Sequence, residues 1–232
     1  PGNTYSLSNN MVTEILKDRQ GNFWIGTRSG LNNFNLKTGN FTRYYLAPDN
    51  GDSFSNGVSG LCEDRDSNIW VGNWINGLYM LNRITGKFTN YKNNPADINT
   101  ISNDAISVIF EDETTDLWIG TENNGGLNRM NRQTGKFTRY LPGLVISSIY
   151  RDAHSIIWIG TPSGLFRYDR KSDSFNSIGE ENSGNNIVEV SAITSDKDDN
   201  LWISAETGIY MLNQKRDHVI RFGRENGIPE AN

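Results

Sequence analysis

The stretch DETTDLWIGTENNGGLNRMN, residues 112–131, decides the fold, because the chain repeats its pattern five times. In every copy an aspartate stands six residues before a tryptophan, and a Gly-Leu or Gly-Ile pair follows. The tryptophans, 40 to 48 residues apart, are Trp24, Trp70, Trp118, Trp158 and Trp202. Repeats of about this length are typical of propellers and solenoids.

Each copy contains four short segments with strand character, which are VTEIL, FWIG, LNNFN and FTRYY in the first copy. They are rich in β-branched and aromatic residues, and Asp, Gly or Thr-Gly turn signals separate them. The sequence therefore predicts an all-β fold, a β-propeller built of five four-stranded antiparallel blades. Since a single sheet cannot bury both faces, the repeated tryptophans are expected to pack between neighbouring blades.

The repeat also sets the domain organisation. We interpret residues 1–232 as a single propeller segment with units at about 7–53, 54–100, 101–141, 142–184 and 185–228. The sequence contains five whole units, and neither end has a spare strand that could close a ring. We therefore favour an excerpt from a larger ring, and a complete five-bladed ring is the alternative.

Composition excludes several classes of partner. The net charge is −5 and no basic block or basic face appears, which argues against nucleic acid. No run of eighteen apolar residues is present, so no membrane contact by this segment is expected. The single cysteine, Cys62, is interpreted as a buried filler.

The unit reads L-S-N-x-x-V…I…D-x-x-G-N-x-W-I-G-T-x-x-G-L-x-x-F-N…T-G-x-F-T-x-Y, and it resembles the two-component regulator propeller repeat. The resemblance runs from about Leu7 to Ile228, although unit five has Ser204-Ala205 in place of Gly-Thr. In that family, found in Bacteroides hybrid two-component systems, two seven-bladed propellers precede an immunoglobulin-like domain, a membrane span, a kinase and a DNA-binding domain.

What the resemblance implies is a periplasmic, carbohydrate-binding sensor region of an inner-membrane protein used in signal transduction. The ligand would be an oligosaccharide, and the signal would pass to a kinase outside this chain. The implied protein partners are the remaining blades and domains of the parent sensor, with a homodimer formed through the parent as a further one. The parent would be a sensor histidine kinase, whereas this chain would not itself be an enzyme.

Strand parity places the candidate site. With strands A to D in chain order, B–C loops and D–A connections share one face, and A–B and C–D turns share the other. The B–C loops vary most, and loops on a rigid scaffold carry function.

Trp74 stands in one of these B–C loops as a large aromatic where sibling units have Arg, Glu or Pro. We predict ligand contacts from Trp74, Asn73, Asn76, Arg28, Glu122, Asn123, Asn124 and Glu206. The alternative is that Trp74 only packs under its own loop.

Chemistry beyond binding has little sequence support. The A–B turns DRDSN and DKDDN, in units two and five, are rich in aspartate like a calcium loop. Ile69 and Leu201 stand where such a loop requires glycine, so neither turn fits one. No metal or other cofactor is therefore predicted. Only two histidines exist, His154 and His218, both at turn positions. Two alternatives stay open: a non-catalytic protein-interaction scaffold, and a propeller glycoside hydrolase or lyase using Glu122 and Glu206.

Overall fold

A computed structural model of the chain describes residues 5–47, 54–178 and 187–228. It is all-β and contains five four-stranded antiparallel sheets, which confirms the predicted propeller blades. Within each sheet the strands follow one another in chain order. The helical segments in the described residues are two 3-10 turns, Phe54–Asn56 and Arg224–Asn226.

The five blades have closely similar strand bounds. Blade 1 consists of β1 Val12–Lys17, β2 Phe23–Thr27, β3 Gly30–Asn35 and β4 Asn40–Tyr44. Blade 2 consists of β5 Gly60–Glu63, β6 Ile69–Gly72, β7 Leu78–Asn82 and β8 Lys87–Tyr91. Blade 3 consists of β9 Ile106–Glu111, β10 Leu117–Thr121, β11 Gly126–Asn131 and β12 Lys136–Tyr140. Blade 4 consists of β13 Ser148–Arg151, β14 Ile157–Thr161, β15 Gly164–Asp169 and β16 Ser174–Ile178. Blade 5 consists of β17 Val190–Ser195, β18 Leu201–Ala205, β19 Gly208–Leu212 and β20 Val219–Phe222.

By internal packing the chain divides into two compact units. Unit 1 comprises Pro1–Glu122 and Asn128–Arg139, and unit 2 comprises Asn123–Leu127 and Tyr140–Asn232. Blades 1 and 2 and most of blade 3 therefore belong to unit 1, and blades 4 and 5 belong to unit 2.

Each unit buries tryptophans between successive blades, as the repeat requires. In unit 1, Trp24 clusters with Val58 and Val71 of the second repeat. Trp70 clusters in the same way with residues of the third repeat, among them Ile106 and Ile119. The core of unit 2 repeats the arrangement, with members Trp158, Leu165, Ile187, Val190, Ile193, Leu201, Ile203, Tyr210 and Leu212.

The aspartate six residues before each tryptophan has two tasks. In blade 2, Asp64 Oδ1 accepts the backbone N–H of Asn68 at 2.8 Å, which holds the A–B turn. Its Oδ2 accepts the indole N–H of Trp70 at 2.8 Å. The same indole bond is made by Asp18, Asp112, Asp152 and Asp196 to their own tryptophans. The turn bond explains why an aspartate recurs in this turn, and the indole bond explains the constant spacing of six.

Burial of the indoles differs at the last blade. Trp70 is 1% exposed, and Trp24, Trp118 and Trp158 are buried as well, which confirms their predicted interior position. Trp202 is only half-buried, which differs from that prediction. Its ring stacks on Phe222 of its own blade with centroids 5.5 Å apart.

Arginines from C–D turns reach the aspartates of the preceding blade. Arg83 of blade 2 lies 3.0 Å from the Asp18 carboxylate in blade 1. Arg132 of blade 3 pairs with Asp64 in blade 2. In unit 2, Arg216 of blade 5 lies 3.1 Å from the Asp152 carboxylate in blade 4. We call these three the latch arginines: Arg83, Arg132 and Arg216. Each brings a charged hydrogen bond to a carboxylate that is out of contact with water, so each pair ties two successive blades.

Two of the turn aspartates, Asp18 and Asp196, should make folding acid-sensitive. Hydrogen bonds from Trp202 and Asn200 hold the pKa of Asp196 at about 2, below its ordinary value of 3.8. The pKa of Asp18 is also lowered, because hydrogen bonds from Asn22 and Trp24 and the charge of Arg83 together outweigh burial, which raises it. Since the unfolded chain binds these protons more readily, stability is present above about pH 4 and is lost towards pH 2.

We therefore expect the melting temperature to fall steeply between pH 4 and pH 2. The Asp196→Asn variant should start from a lower melting temperature and fall less over the same interval, because residue 196 no longer titrates. Thermal melts followed by circular dichroism at pH 5, 3 and 2 measure both slopes. Parallel slopes for the two proteins would contradict the assignment.

A cavity beside Trp24 reflects one short side chain. Asn33 pairs with Trp24 across the strands, whereas Met80 pairs with Trp70 at the equivalent place in blade 2. A cavity of about 180 Å³ results, lined by Trp24, Asn33, Tyr44, Leu81, Arg83 and Gly86. Blades 4 and 5 also carry long side chains at this position, Arg167 and Met211.

Filling this cavity should stabilise unit 1. We expect Asn33→Met to raise the free energy of unfolding by about 0.5–2 kcal/mol, since cavity filling commonly gives that gain. The reciprocal variant Met80→Asn is the control and should destabilise. Urea denaturation measures both, and a loss of stability in Asn33→Met would show that the space is needed.

No helix in residues 5–47, 54–178 or 187–228 is long and apolar enough to cross a bilayer.

Candidate functional site

In unit 1 the B–C loops and D–A connections lie on one face, as strand parity predicts. In blade 1, Ser8 before β1 is hydrogen-bonded to Thr27 at the end of β2, with the two hydroxyl oxygens 2.8 Å apart. In blade 2, the Gly77 N–H at the end of the B–C loop donates to Asp104 O in the next connection, at 2.8 Å. We call this surface in unit 1 the loop face.

Asn73 holds the blade 2 loop in place. Its Oδ1 accepts the backbone N–H groups of Ile75 and Asn76 at 2.9 and 2.8 Å. Its Nδ2 donates to the carbonyls of Ser55 and Gly57 at 3.2 and 2.6 Å. The side chain is fully buried, so these bonds stitch the loop to the segment that enters blade 2.

Trp74 lies on the loop face over a glycine. A Cβ added at Gly57 would lie 2.5 Å from Trp74 Cζ3 and 2.7 Å from Cε3, so only glycine leaves room for the ring there. Trp74 remains half-buried, while the adjacent Ile75 is exposed. Gly57 stands thirteen residues before its tryptophan, where the neighbouring units have Met11 and Ala105. The glycine and the unusual tryptophan therefore occur in the same unit.

Three other predicted contacts lie on the loop face of unit 1. Arg28 and Glu122 occupy the repeat position of Trp74 in blades 1 and 3. Arg28 is half-buried, with Nη1 3.6 Å from Met11 Sδ, and Glu122 is exposed. The Asn76 amide is half-buried, and its Oδ1 lies 3.5 Å from Lys92 Nζ. The face thus offers an aromatic ring, both signs of charge and an amide.

The remaining predicted contacts belong to unit 2. Asn123 and Asn124 are exposed and adopt left-handed backbone angles, with φ of 51° and 60°. Asparagine tolerates that conformation well, which explains the Asn-Asn pair in this turn. Glu206 is also exposed. Ligand contact by these three side chains stays a prediction, made for unit 2 separately from the residues of unit 1.

Asn73 is buried beneath the loop, whereas a direct contact with a ligand would need its side chain on the surface of the loop face. It occupies the repeat position of Thr27, Thr121 and Thr161, all of which are fully buried. Thr27 and Thr161 donate their hydroxyl to the carbonyl of the glycine that begins strand C, so this position fastens the two ends of the B–C loop from inside. We therefore assign Asn73 to positioning Trp74 and leave direct contact to its neighbours. The threonines at this position in three other units were a signal for this supporting role, and sequence reasoning missed it.

Reactive groups are sparse among the described residues. There, no group of three or more His, Cys, Asp or Glu side chains is arranged to hold a metal ion. His154 in the A–B turn of blade 4 has its Nε2 2.8 Å from Oδ2 of Asp199 in the A–B turn of blade 5, and His218 is exposed. Burial raises the pKa of the Cys62 thiol to about 12, so that half-buried thiol stays protonated and unreactive at neutral pH.

Comparison with protein families explains the repeat. The two component regulator propeller family matches residues 6–29, 52–74, 100–123 and 140–163. Each matched segment begins before strand A of a blade and ends in its B–C loop. The chain carries two-component regulator propeller repeats. The unmatched fifth blade is the one in which Ser204-Ala205 replaces Gly-Thr.

Two similar proteins are a histidine kinase and a domain from a hybrid two-component system. Histidine kinase P4 of Formosa agariphila is 30% identical over 188 residues, which cover 76% of this chain and 13% of the kinase. The extracellular domain of a hybrid two-component system from B. thetaiotaomicron aligns with a TM-score of 0.78 and 26% identity, over 98% of this chain and 31% of that one. The chain thus spans less than a third of either relative.

An enzyme shares the fold. Virginiamycin B lyase from Staphylococcus aureus aligns with a TM-score of 0.71 and 20% identity, over 98% of this chain and 75% of that one. At that identity the likeness concerns the propeller architecture alone.

Proposed function

We propose that this two-component regulator propeller is the periplasmic ligand-sensing part of a hybrid two-component sensor. It binds an oligosaccharide on the loop face and passes the signal to a kinase elsewhere in the parent protein, without catalysing a reaction. The remaining domains of the parent are its partners, and a homodimer through the parent is the arrangement for signalling. The observation that carries the proposal is Trp74, held on the loop face by Asn73 and Gly57.

The chemistry of the loop face suits a sugar. A pyranose has an apolar face that can stack on an indole and hydroxyl groups that both donate and accept hydrogen bonds. Aromatic side chains with one accessible face supply contact area with little loss of conformational entropy. Asn76 can both donate and accept, Arg28 donates and Glu122 accepts, so a ring on Trp74 would find partners of each kind.

Calorimetric titration with defined oligosaccharide mixtures tests this assignment. We expect the wild type to bind and Trp74→Ala to bind at least about tenfold more weakly, a change of about 1.4 kcal/mol. The matched control is Ile84→Ala, which removes a 96% exposed apolar side chain from a C–D turn on the opposite face. Its affinity should equal that of the wild type.

The variant Gly57→Ala tests the position of the ring without removing it. A methyl group at residue 57 would overlap Trp74 and also approach Arg28 O, so the ring must move and affinity should fall. A wild type that binds no glycan would favour the interaction scaffold instead. Turnover of a glycan that Glu122→Gln abolishes would favour the hydrolase or lyase.

A further inference from the structure

The cavity beside Trp24 has aromatic walls and one polar side chain. The rings of Trp24 and Tyr44 lie with their centroids 5.6 Å apart and their planes at 41°, and Leu81 adds an apolar wall. The other four units carry a long side chain at the repeat position of Asn33, namely Met80, Arg129, Arg167 and Met211. The short side chain of Asn33 therefore leaves open, in blade 1, a space directly beside the indole.

The Asn33 amide has hydrogen-bonding capacity that its surroundings do not use. The residue is half-buried, and its side chain makes no hydrogen bond within residues 5–47, 54–178 and 187–228. An amide offers two N–H donors and a carbonyl acceptor. Because an unpaired polar group in a partly buried place is unfavourable, this amide favours a ligand that presents a donor and an acceptor side by side.

The charged group at the cavity is already paired. Arg83 lines the space. Its guanidinium nitrogens lie 3.0 Å from the Asp18 carboxylate and 3.5 Å from that of Glu63, and one donates to Gln20 Oε1 at 2.8 Å. Burial raises the pKa of the Tyr44 phenol, so that wall is uncharged at neutral pH. Since an unpaired charge is costly to bury, the cavity favours a neutral ligand.

The volume of the cavity suits a single small ring. The space measures about 180 Å³. An apolar cavity of about 150 Å³ is large enough to bind benzene. A flat ring can lie against the two aromatic walls, which supply most of its contact area. Proteins commonly give up stability where function needs an open space, so the unfilled cavity agrees with a binding role.

We propose that the cavity beside Trp24 binds a small, neutral, planar ring that carries a carboxamide-like edge. The ring lies against Trp24 and Tyr44, and its carbonyl and N–H pair with the Asn33 amide. Arg83 and Gly86 place the cavity at the C–D turn of blade 2, away from the loop face. The inference is therefore independent of the proposed glycan.

An NMR titration of the full chain with benzamide tests the proposal, with the indole N–H resonance of Trp24 as the readout. Toluene is the control that keeps the ring without the amide, and benzoate is the control that carries a charge instead. We expect benzamide to shift the Trp24 resonance saturably and to bind at least about tenfold more tightly than either control. The Trp70 resonance should stay in place, because Met80 stands beside that indole.

Two variants of Asn33 separate the space from the hydrogen bonds. Asn33→Met fills the cavity and should abolish benzamide binding in a protein that remains folded. Asn33→Ala keeps the space and removes the amide, so benzamide and toluene should bind to it with affinities within about threefold of each other.

Three outcomes would overturn the proposal. One is a wild type whose Trp24 resonance responds to none of the probes. Another is toluene or benzoate binding to the wild type as tightly as benzamide, because the cavity would then recognise only apolar space or a charge. The third is full benzamide affinity in Asn33→Met, which would place the ligand elsewhere.

Discussion

Replacing Trp118 with alanine is expected to lower the free energy of unfolding by about 3–5 kcal/mol, the usual cost of removing a large core aromatic. The indole is fully buried and donates to Asp112 at 3.1 Å. The Arg129 guanidinium lies 5.4 Å from the ring centroid. The substitution therefore opens a cavity and also leaves the Asp112 carboxylate without one of its donors. Urea denaturation at neutral pH measures the loss.

The control for Trp118→Ala is Trp202→Ala in the last blade. The repeat position is the same, but Trp202 is half-buried, so this variant should lose less than half as much. A loss below about 1 kcal/mol for Trp118→Ala would mean that the indole is not interior.

The second large effect is expected at Asp64. We expect Asp64→Asn to cost about 2–4 kcal/mol, because a fully buried carboxylate that satisfies several donors is removed. It holds the A–B turn through Asn68, the indole of Trp70 and the guanidinium of Arg132. An amide keeps only one of the two acceptor oxygens and cannot neutralise the arginine. Chemical denaturation of the variant gives the cost directly.

The matched control is Asp66→Asn, two residues away. Asp66 lies 3.2 Å from the same arginine, but its side chain is 73% exposed. Exposed ion pairs contribute little, so the control should change stability by less than about 1 kcal/mol. Equal losses at the two positions would show that burial of Asp64 is not what gives the latch its strength.

The fold could be predicted because its signal recurs. The spacing of aspartate and tryptophan appears five times, and neighbouring strands are joined by short turns, so local pattern fixes each blade. The latch arginines were not predicted, because each joins positions about 65 residues apart and blade 1 has Leu36 at the same place. In blade 5 the arginine is also shifted, since Arg216 stands three residues after Asn213.

The candidate site could be predicted only in part. Trp74 was singled out because it departs from its siblings. It lies half-buried in a B–C loop, and its contact with a ligand stays a prediction. The supporting role of Asn73 depends on its burial beneath the loop, which no local pattern shows. The role of Gly57 depends on contact with a ring seventeen residues further along the chain, so it required coordinates.

The central functional claim is that a glycan binds on the loop face of unit 1. An NMR titration that follows the six tryptophan indole N–H resonances tests it most directly, because five of these protons are bonded to an aspartate inside or beneath a blade. The account predicts that a binding oligosaccharide shifts the Trp74 resonance saturably and leaves Trp70 and Trp118 unchanged. A glycan that binds while the Trp74 resonance stays in place would contradict it.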